Sequence, residues 1–328
     1  MDELKQLVDD IGAKAAQARL GNRRLPETFD ADLWRDVEET GLARLTTEQD
    51  AGPAEAAVVL AGLARHAAAV PVAETDLLAG WLAGQAGLDA PDGPLTIAIG
   101  TDGVARDVPW PEDAAILLVA RTDDGLHIGW IDDPELTTGH NLGGEPRGTL
   151  RYAAPGQARL DDSALEELMR RGAWARCVQI VGALDAALAL TVTHTSDRVQ
   201  FGRALSKFQA VQHSLASMAG EIEQARAATD LATAAVTEYG FADPRADYAV
   251  TVAKVAVGRA TTPVTTIAHQ LHGAIGVTIE HPLWSVTMRA RSWADEFGST
   301  ASHARRLGRW ALDAADPWDV FVSSPARD

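Results

Sequence analysis

The chain has 328 residues, 46% of them hydrophobic and only 5% aromatic, so it is long enough for two or three packed layers and too alanine-rich to favour sheet throughout. A net charge of −17 argues against nucleic acid or an anionic membrane as the main partner, and any anionic ligand would need a local basic island. The single cysteine, Cys177, leaves no intrachain disulfide framework, fits a reducing cytoplasm, and reads as a core residue rather than a reactive thiol. The opening MDELKQLVDDIGAKA is amphipathic and acidic, unlike a signal peptide. By inspection no apolar run reaches the roughly 20 residues of a membrane span.

In chain order, residues 1–90 read as helices. Leu4, Leu7, Val8 and Ile11 share one helical face, and breakers follow around Gly21–Pro26. Asp30 is the expected N-cap of ADLWRDVEET and Gly41 its stop. Further helices are expected through Ala54–His66 and Glu74–Ala86. Residues 91–160 change character. Pro, Gly and Asp punctuate the strand-like runs LTIAI, AAILLVA, LHIGW and GTLRYA, which predict a small β-domain. Asp123-Asp124-Gly125 and Gly143-Gly144 read as turns within it.

Residues 161–328 return to helix. A pattern of about 30 residues from Leu165 leads into RVQFGRALSKFQAVQHSLASM, where Arg198–Leu205 reads as a tight connection with Gly202 at positive φ. Ser206 is the expected N-cap of the next helix, whose Phe208, Val211, Leu215, Met218 and Ile222 follow a bundle seam. Pro244 opens another long run, which Pro263 should bend or locally break. Helices at about 281–294 and 299–312 and an irregular tail complete an expected antiparallel bundle. His269 and His272 lack a third ligand at metal spacing, so His269 is assigned to packing and His272 to the turn expected to face the ligand.

Two arginines, free N–H groups at a helix start and an exposed Phe201 suit a phosphate-bearing, flat-ringed ligand. The same stretch resembles the R-x-Q-F-G…F-Q…H-x-L-A-D-M motif of acyl-CoA dehydrogenases, and HQLHGAIGVTIEHPLW resembles their Q-x-x-G-G-x-G motif. With the flanking helices, the two motifs cover about half the chain. PETFDADLWRDVEETGLARLTTEQDAG and AAVPVAETDLLAGWLAGQAGL also look like the family's amino-terminal helical domain. The resemblance implies a mainly α fold with a reduced middle β-domain, divided at 1–90, 91–160 and 161–328. It also implies FAD as cofactor. Arg198 would match the pyrophosphate-binding arginine, with Gln200, Phe201, Leu205, Phe208 and Gln209 in neighbouring contact positions. Gln270, Leu271, Gly273 and Ala274 would supply the second contact.

The resemblance also exposes gaps. The family's T-E-P-x-A-G-S-D-like flavin contact is absent, and Phe297 stands where most members carry the glutamate base. A second family position for the base falls near Gly172, between Arg171 and Ala173. Glu296 is one residue away from Phe297, which would turn its side chain by about 100° on a helix. The expectation is therefore a base-less subunit of a heteromeric, α2β2 acyl-CoA dehydrogenase, similar to actinobacterial enzymes acting on steroid side-chain CoA esters. A longer partner would supply the base, and an electron-transfer flavoprotein or similar protein would accept electrons. The alternatives are an active homo-oligomer using Glu296 or Glu280, and a flavin-free scaffold bundle.

Overall fold

A computed structural model describes residues 1–328 except 22–23, 50, 124, 153–155, 279–280 and 323–328. Helix α1 (Asp2–Ala18) buries Val8, Ile11 and Ala15. It approaches α4 (Pro53–Arg65) so closely that a Cβ on Gly62 would lie 2.5 Å from Val8. Between them, Asp30 caps α2 (Ala31–Glu39) by accepting from the Leu33 amide at 3.0 Å, and Gly41 ends it at φ 75°. A short helix, α3 (Leu45–Glu48), precedes α4. The helix expected at Glu74–Ala86 instead begins as a π-helical stretch at Glu74–Gly80 and tightens into α5 (Trp81–Gln85). This wide turn buries Glu74, Thr75 and Asp76, and Asp76 accepts hydrogen bonds from the Thr46 and Thr47 amides and hydroxyls at 2.9–3.1 Å.

The middle region is a seven-stranded mixed sheet of β1 (Leu95–Thr101), β2 (Val104–Pro109), β3 (Ala115–Thr122), β4 (Gly125–Ile131), β5 (Glu135–His140), β6 (Pro146–Arg151) and β7 (Ala158–Leu160). Its order is β5-β6-β2-β1-β3-β4-β7, with β1 and β3 parallel and every other pair antiparallel. Period-two alternation sends Leu117 and Val119 into the main helical core, while Ile116, Leu118 and Ala120 build a smaller core with Ala98, Val108 and Leu150.

Helix α6 (Asp162–Asp197) is 36 residues long and crosses the centre of the molecule. By length and composition it could span a membrane, contrary to the sequence expectation, but 67% of its most apolar window is buried against protein. It is followed by a hairpin, β8 (Val199–Gln200) and β9 (Arg203–Ala204), then α7 (Gln209–Tyr239), α8 (Pro244–His272), α9 (Pro282–Trp293), α10 (Thr300–Asp313) and α11 (Pro317–Val322). The seam of α7 buries Met218 and Ile222 and continues through Ala225, Thr229, Ala232 and Val236. Helix α8 runs unbroken through Pro263. The start of the tail is the helix α11 rather than irregular chain, because Pro317 supplies a favourable first turn beside α10.

Candidate functional site

The connection after α6 is a two-residue hairpin with Val199 opposite Ala204 and Gln200 opposite Arg203. Both turn residues have positive φ, Phe201 at 52° and Gly202 at 80°. Glycine tolerates this conformation, but a phenylalanine pays for it, and its ring is left 89% exposed. The Arg203 guanidinium lies 4.1 Å from the Phe208 ring centre, and Phe201 meets Phe208 edge-on at 6.2 Å. Ser206 does not cap the following helix. A 3-10 turn at Leu205–Lys207 intervenes, and α7 starts after Phe208 with no side chain on its first amides. The N-terminal N–H groups of a 31-residue helix are thus left for an outside acceptor.

The second segment is the end of α8. Gly273 leaves the helix at φ 66°, and a 3-10 turn at Gly273–Val277 follows. Gln270, Gly273 and Ala274 are exposed and Leu271 is half-buried. Among the described residues nothing lies within 4 Å of a Cβ built on Gly273, so the backbone angle rather than crowding calls for glycine there. His272, assigned from the sequence to the ligand-facing turn, points into the bundle. It stacks on His194 of α6 at 4.4 Å and meets His281 edge-on at 5.0 Å, and its Nδ1 donates to the Ala268 carbonyl at 2.8 Å. Burial pushes the His272 imidazole down to about 4 and also lowers His194, so both are neutral at pH 7. This neutral stack joins the ends of α6 and α8, and so brings Arg198 and Gly273 to the same end of the bundle. His269 packs as expected, bonded through Nε2 to the Thr287 hydroxyl at 2.8 Å. Among the described residues no group of His, Cys, Asp and Glu could hold a metal.

A cleft of about 610 Å³ lies between the sheet and the bundle, lined by Ile97, Ile99, Arg147, Met169, Glu296 and Phe297 among others. The two positions at which the resemblance would place a base meet there. The Phe297 ring packs on Gly172 so tightly that a Cβ on the glycine would lie 2.4 Å from it. Phe297 is held at φ 53°, on a turn whose carbonyls at Ala294 and Glu296 receive bonds from the buried Lys254 ammonium at 3.0 and 2.8 Å. Glu296 points into an ion network. Its two oxygens accept from Arg176 Nε at 2.7 Å and Arg147 Nη2 at 2.8 Å. Arg176 also binds Glu74 at 2.5 Å, and Arg147 binds Glu145 at 3.3 Å. Burial raises the Glu296 carboxyl, but the Arg176 and Arg147 guanidiniums outweigh it and hold the group at about 2.

Arg147, Arg176, Glu74, Glu145 and Lys254 were not singled out from the sequence. A signal for two of them was present: Arg176 and Lys254 sit on the apolar faces of α6 and α8, where a charge must find a partner. Cys177 is buried and free, and burial pushes its thiol up to about 12, so it carries no nucleophile. Glu280 lies outside the described residues.

Comparison with known proteins follows the same lines. The family model for the "Acyl-CoA dehydrogenase, C-terminal domain" matches residues 163–312. The chain is 29% identical over 295 residues to acyl-CoA dehydrogenase IpdE2 of Mycolicibacterium smegmatis, covering 85% of this chain and 88% of that protein. Its fold matches a chain of the ChsE4-ChsE5 complex from Mycobacterium tuberculosis with a TM-score of 0.79 at 23% identity, covering 95% and 97% of the two chains. It matches a chain of the Tcur3481-Tcur3483 steroid ACAD G363A variant with a TM-score of 0.80 at 24% identity, again covering 95% and 97%. Members of this family are FAD-dependent flavoproteins, and the outward-facing hairpin and turn suit such a cofactor in residue type and exposure. By the match of residues 163–312 to that C-terminal domain and the likeness to IpdE2 along most of its length, the chain is similar to acyl-CoA dehydrogenases.

Proposed function

We propose that this chain is the base-less subunit of a heteromeric acyl-CoA dehydrogenase. Its hairpin from Arg198 to Gln209 and its turn from Gln270 to Ala274 would contact a flavin held largely by a longer partner. The observation that carries the reading is the Phe297 ring seated on Gly172, where a carboxylate would have to stand to take the α-proton of an acyl thioester. The adjacent carboxylate, Glu296, is a weak base at about 2 and is already paired twice. FAD, when bound, supplies the acceptor for the hydride from the β-carbon. This chain's own contribution is binding: the Arg198 guanidinium for phosphate charge, the Phe201 ring and small residues around Gly273 for close approach, and the uncapped start of α7 for anionic oxygen.

In this reading residues 1–90, 91–160 and 161–328 form an amino-terminal helical domain, a reduced β-domain and a bundle carrying the cofactor-contact face. A two-chain complex and a steroid ACAD among the similar structures support a partner chain and steroid-related acyl-CoA esters as substrates; the α2β2 stoichiometry, the cytoplasmic location and a flavoprotein electron acceptor are part of the same proposal. The test is co-expression with a longer acyl-CoA dehydrogenase chain, followed by flavin per protomer and turnover. The expected complex is yellow, holds fewer flavins than protomers, and keeps its turnover when Glu296 is replaced by Gln. Loss of turnover in Glu296→Gln with flavin retained would assign the base to this chain, and a colourless complex would make the chain a scaffold.

A further inference from the structure

The stacked rings of His194 and His272 each have a short covalent lever to one of the two candidate cofactor segments. On α6, His194 stands one turn before Arg198, and its carbonyl accepts from the Arg198 amide at 2.9 Å where the hairpin begins. On α8, His272 directly precedes Gly273. The turn that follows folds back over it so closely that a Cβ on Gly276 would lie 2.8 Å from the His272 Cβ. The two rings lie 20° from parallel with their centres 4.4 Å apart. A displacement of either ring therefore moves the hairpin against the turn.

The pair is arranged for its neutral state. A carbonyl only accepts, so the bond to Ala268 puts the His272 proton on Nδ1 and leaves Nε2 bare. That nitrogen belongs to a side chain 6% exposed and has no partner among the described residues, so a proton there would be a buried charge without an acceptor. The surrounding groups mostly oppose a positive charge. Arg198 does so at His194, and His269 of α8 and His281 at the start of α9 do so at His272. Asp197 favours a charge at His194, and Arg65 and His66 of α4 lie across the same cleft beside Asp185 and Asp9. With burial the leading cause, His272 is pushed down to about 4 and His194 is lowered from 6.5. The neutral pair thus contributes its full stability above 6.5, and that contribution is lost as pH falls toward about 4. We infer that His194 and His272 are positioning residues that hold the hairpin and the Gly273 turn in register while both rings are neutral, and that protonation parts the two segments and releases the cofactor contact. The inference rests on the flavin reading proposed above.

The test is flavin retention by the co-purified complex from about pH 8 down to about pH 4, read from the fluorescence of released flavin, with circular dichroism following the fold in the same samples. The wild-type complex should shed flavin between 6.5 and about 4 with its helical signal intact. His194→Phe combined with His272→Phe keeps two flat rings that cannot take a proton. That complex should hold flavin near neutrality and move the midpoint of release down by about one pH unit or more, a tenfold change in proton concentration. His194→Phe alone, at the less buried of the two positions, should move it in the same direction. His194→Ala removes the stack and should weaken flavin near neutrality about tenfold or more, which His194→Phe should not. A flat wild-type profile, flavin loss that coincides with unfolding, or an unchanged midpoint in the phenylalanine complexes would overturn this inference and leave the proposed function standing. A complex colourless at neutral pH would instead sink the flavin reading, and this inference with it.

Discussion

At the scale of single residues, Glu296 shows how a nearby carboxylate can be present and chemically spent. It, Glu74 and Glu145 carry three negative charges, matched by Arg147, Arg176 and Lys254, so the buried cluster is neutral as a whole. Removing one partner strands the others. Arg176→Met should lower stability by about 3–5 kcal/mol in urea unfolding, because Glu74 and Glu296 would lose their shared cation inside the protein. The pH dependence has a definite sign. Glu296 is depressed from 4.5 to about 2, so its contribution is fully present above about 4.5 and is lost as pH falls toward 2. The stability gap between wild type and Glu296→Gln should therefore shrink over that window, and a gap that stays constant would show that the ion pairs do not matter. Phe201 is the opposite case, a residue whose backbone costs stability. Phe201→Asn should keep or raise the melting temperature, by up to about 1–2 kcal/mol of relieved left-handed strain, while weakening flavin retention.

At the scale of elements, the junction of α6 with the turn before α10 was half legible. The resemblance picks out Phe297 and Gly172 as two positions where a carboxylate is expected and missing, and the fold shows that they touch. Gly172→Ala should push the Phe297 ring aside at a cost of about 1–3 kcal/mol, and Phe297→Leu should recover most of it in a double-mutant cycle. Additive effects would mean that the ring does not rest on the glycine. Local signals carried the long helices well, because Asp30, Gly41 and Pro244 mark ends through their own backbone and capping chemistry. They failed where the deciding contact was distant. Ser206 has the right side chain for a cap, yet the hairpin geometry moves the helix start to Phe208. His272 sits in a motif that reads as facing the ligand, yet it stacks inward on His194, 78 residues earlier. Strands β2, β5 and β7 have weak patterns of their own, and their place in the sheet comes from their partners.

At the scale of the whole molecule, a strongly acidic chain presents an apolar end where Arg198 and Arg203 have no ion pair among the described residues. Val199, Phe201, Ile275 and Val277 are 62%, 89%, 50% and 62% exposed, and they flank the two candidate cofactor segments. An exposed Phe on a strained turn beside exposed Ile and Val has little to gain from water, so a surface contributed by another chain is the natural cover. Ile275→Asp and Val277→Asp separate that account from a merely local role. Both side chains are largely outside the core, so the isolated chain should keep its melting temperature. In the co-expressed complex the substitutions should prevent the longer chain from co-eluting and remove flavin along with it, because a buried, unpaired carboxylate costs several kcal/mol at an interface. Arg198→Ala should behave differently, leaving the chains together but weakening flavin by about 1.5–3 kcal/mol of lost charge-assisted bonding. If the aspartate variants assemble normally and Arg198→Ala retains its full flavin, that end of the bundle is neither a subunit surface nor a cofactor surface, and the heteromeric reading fails with it.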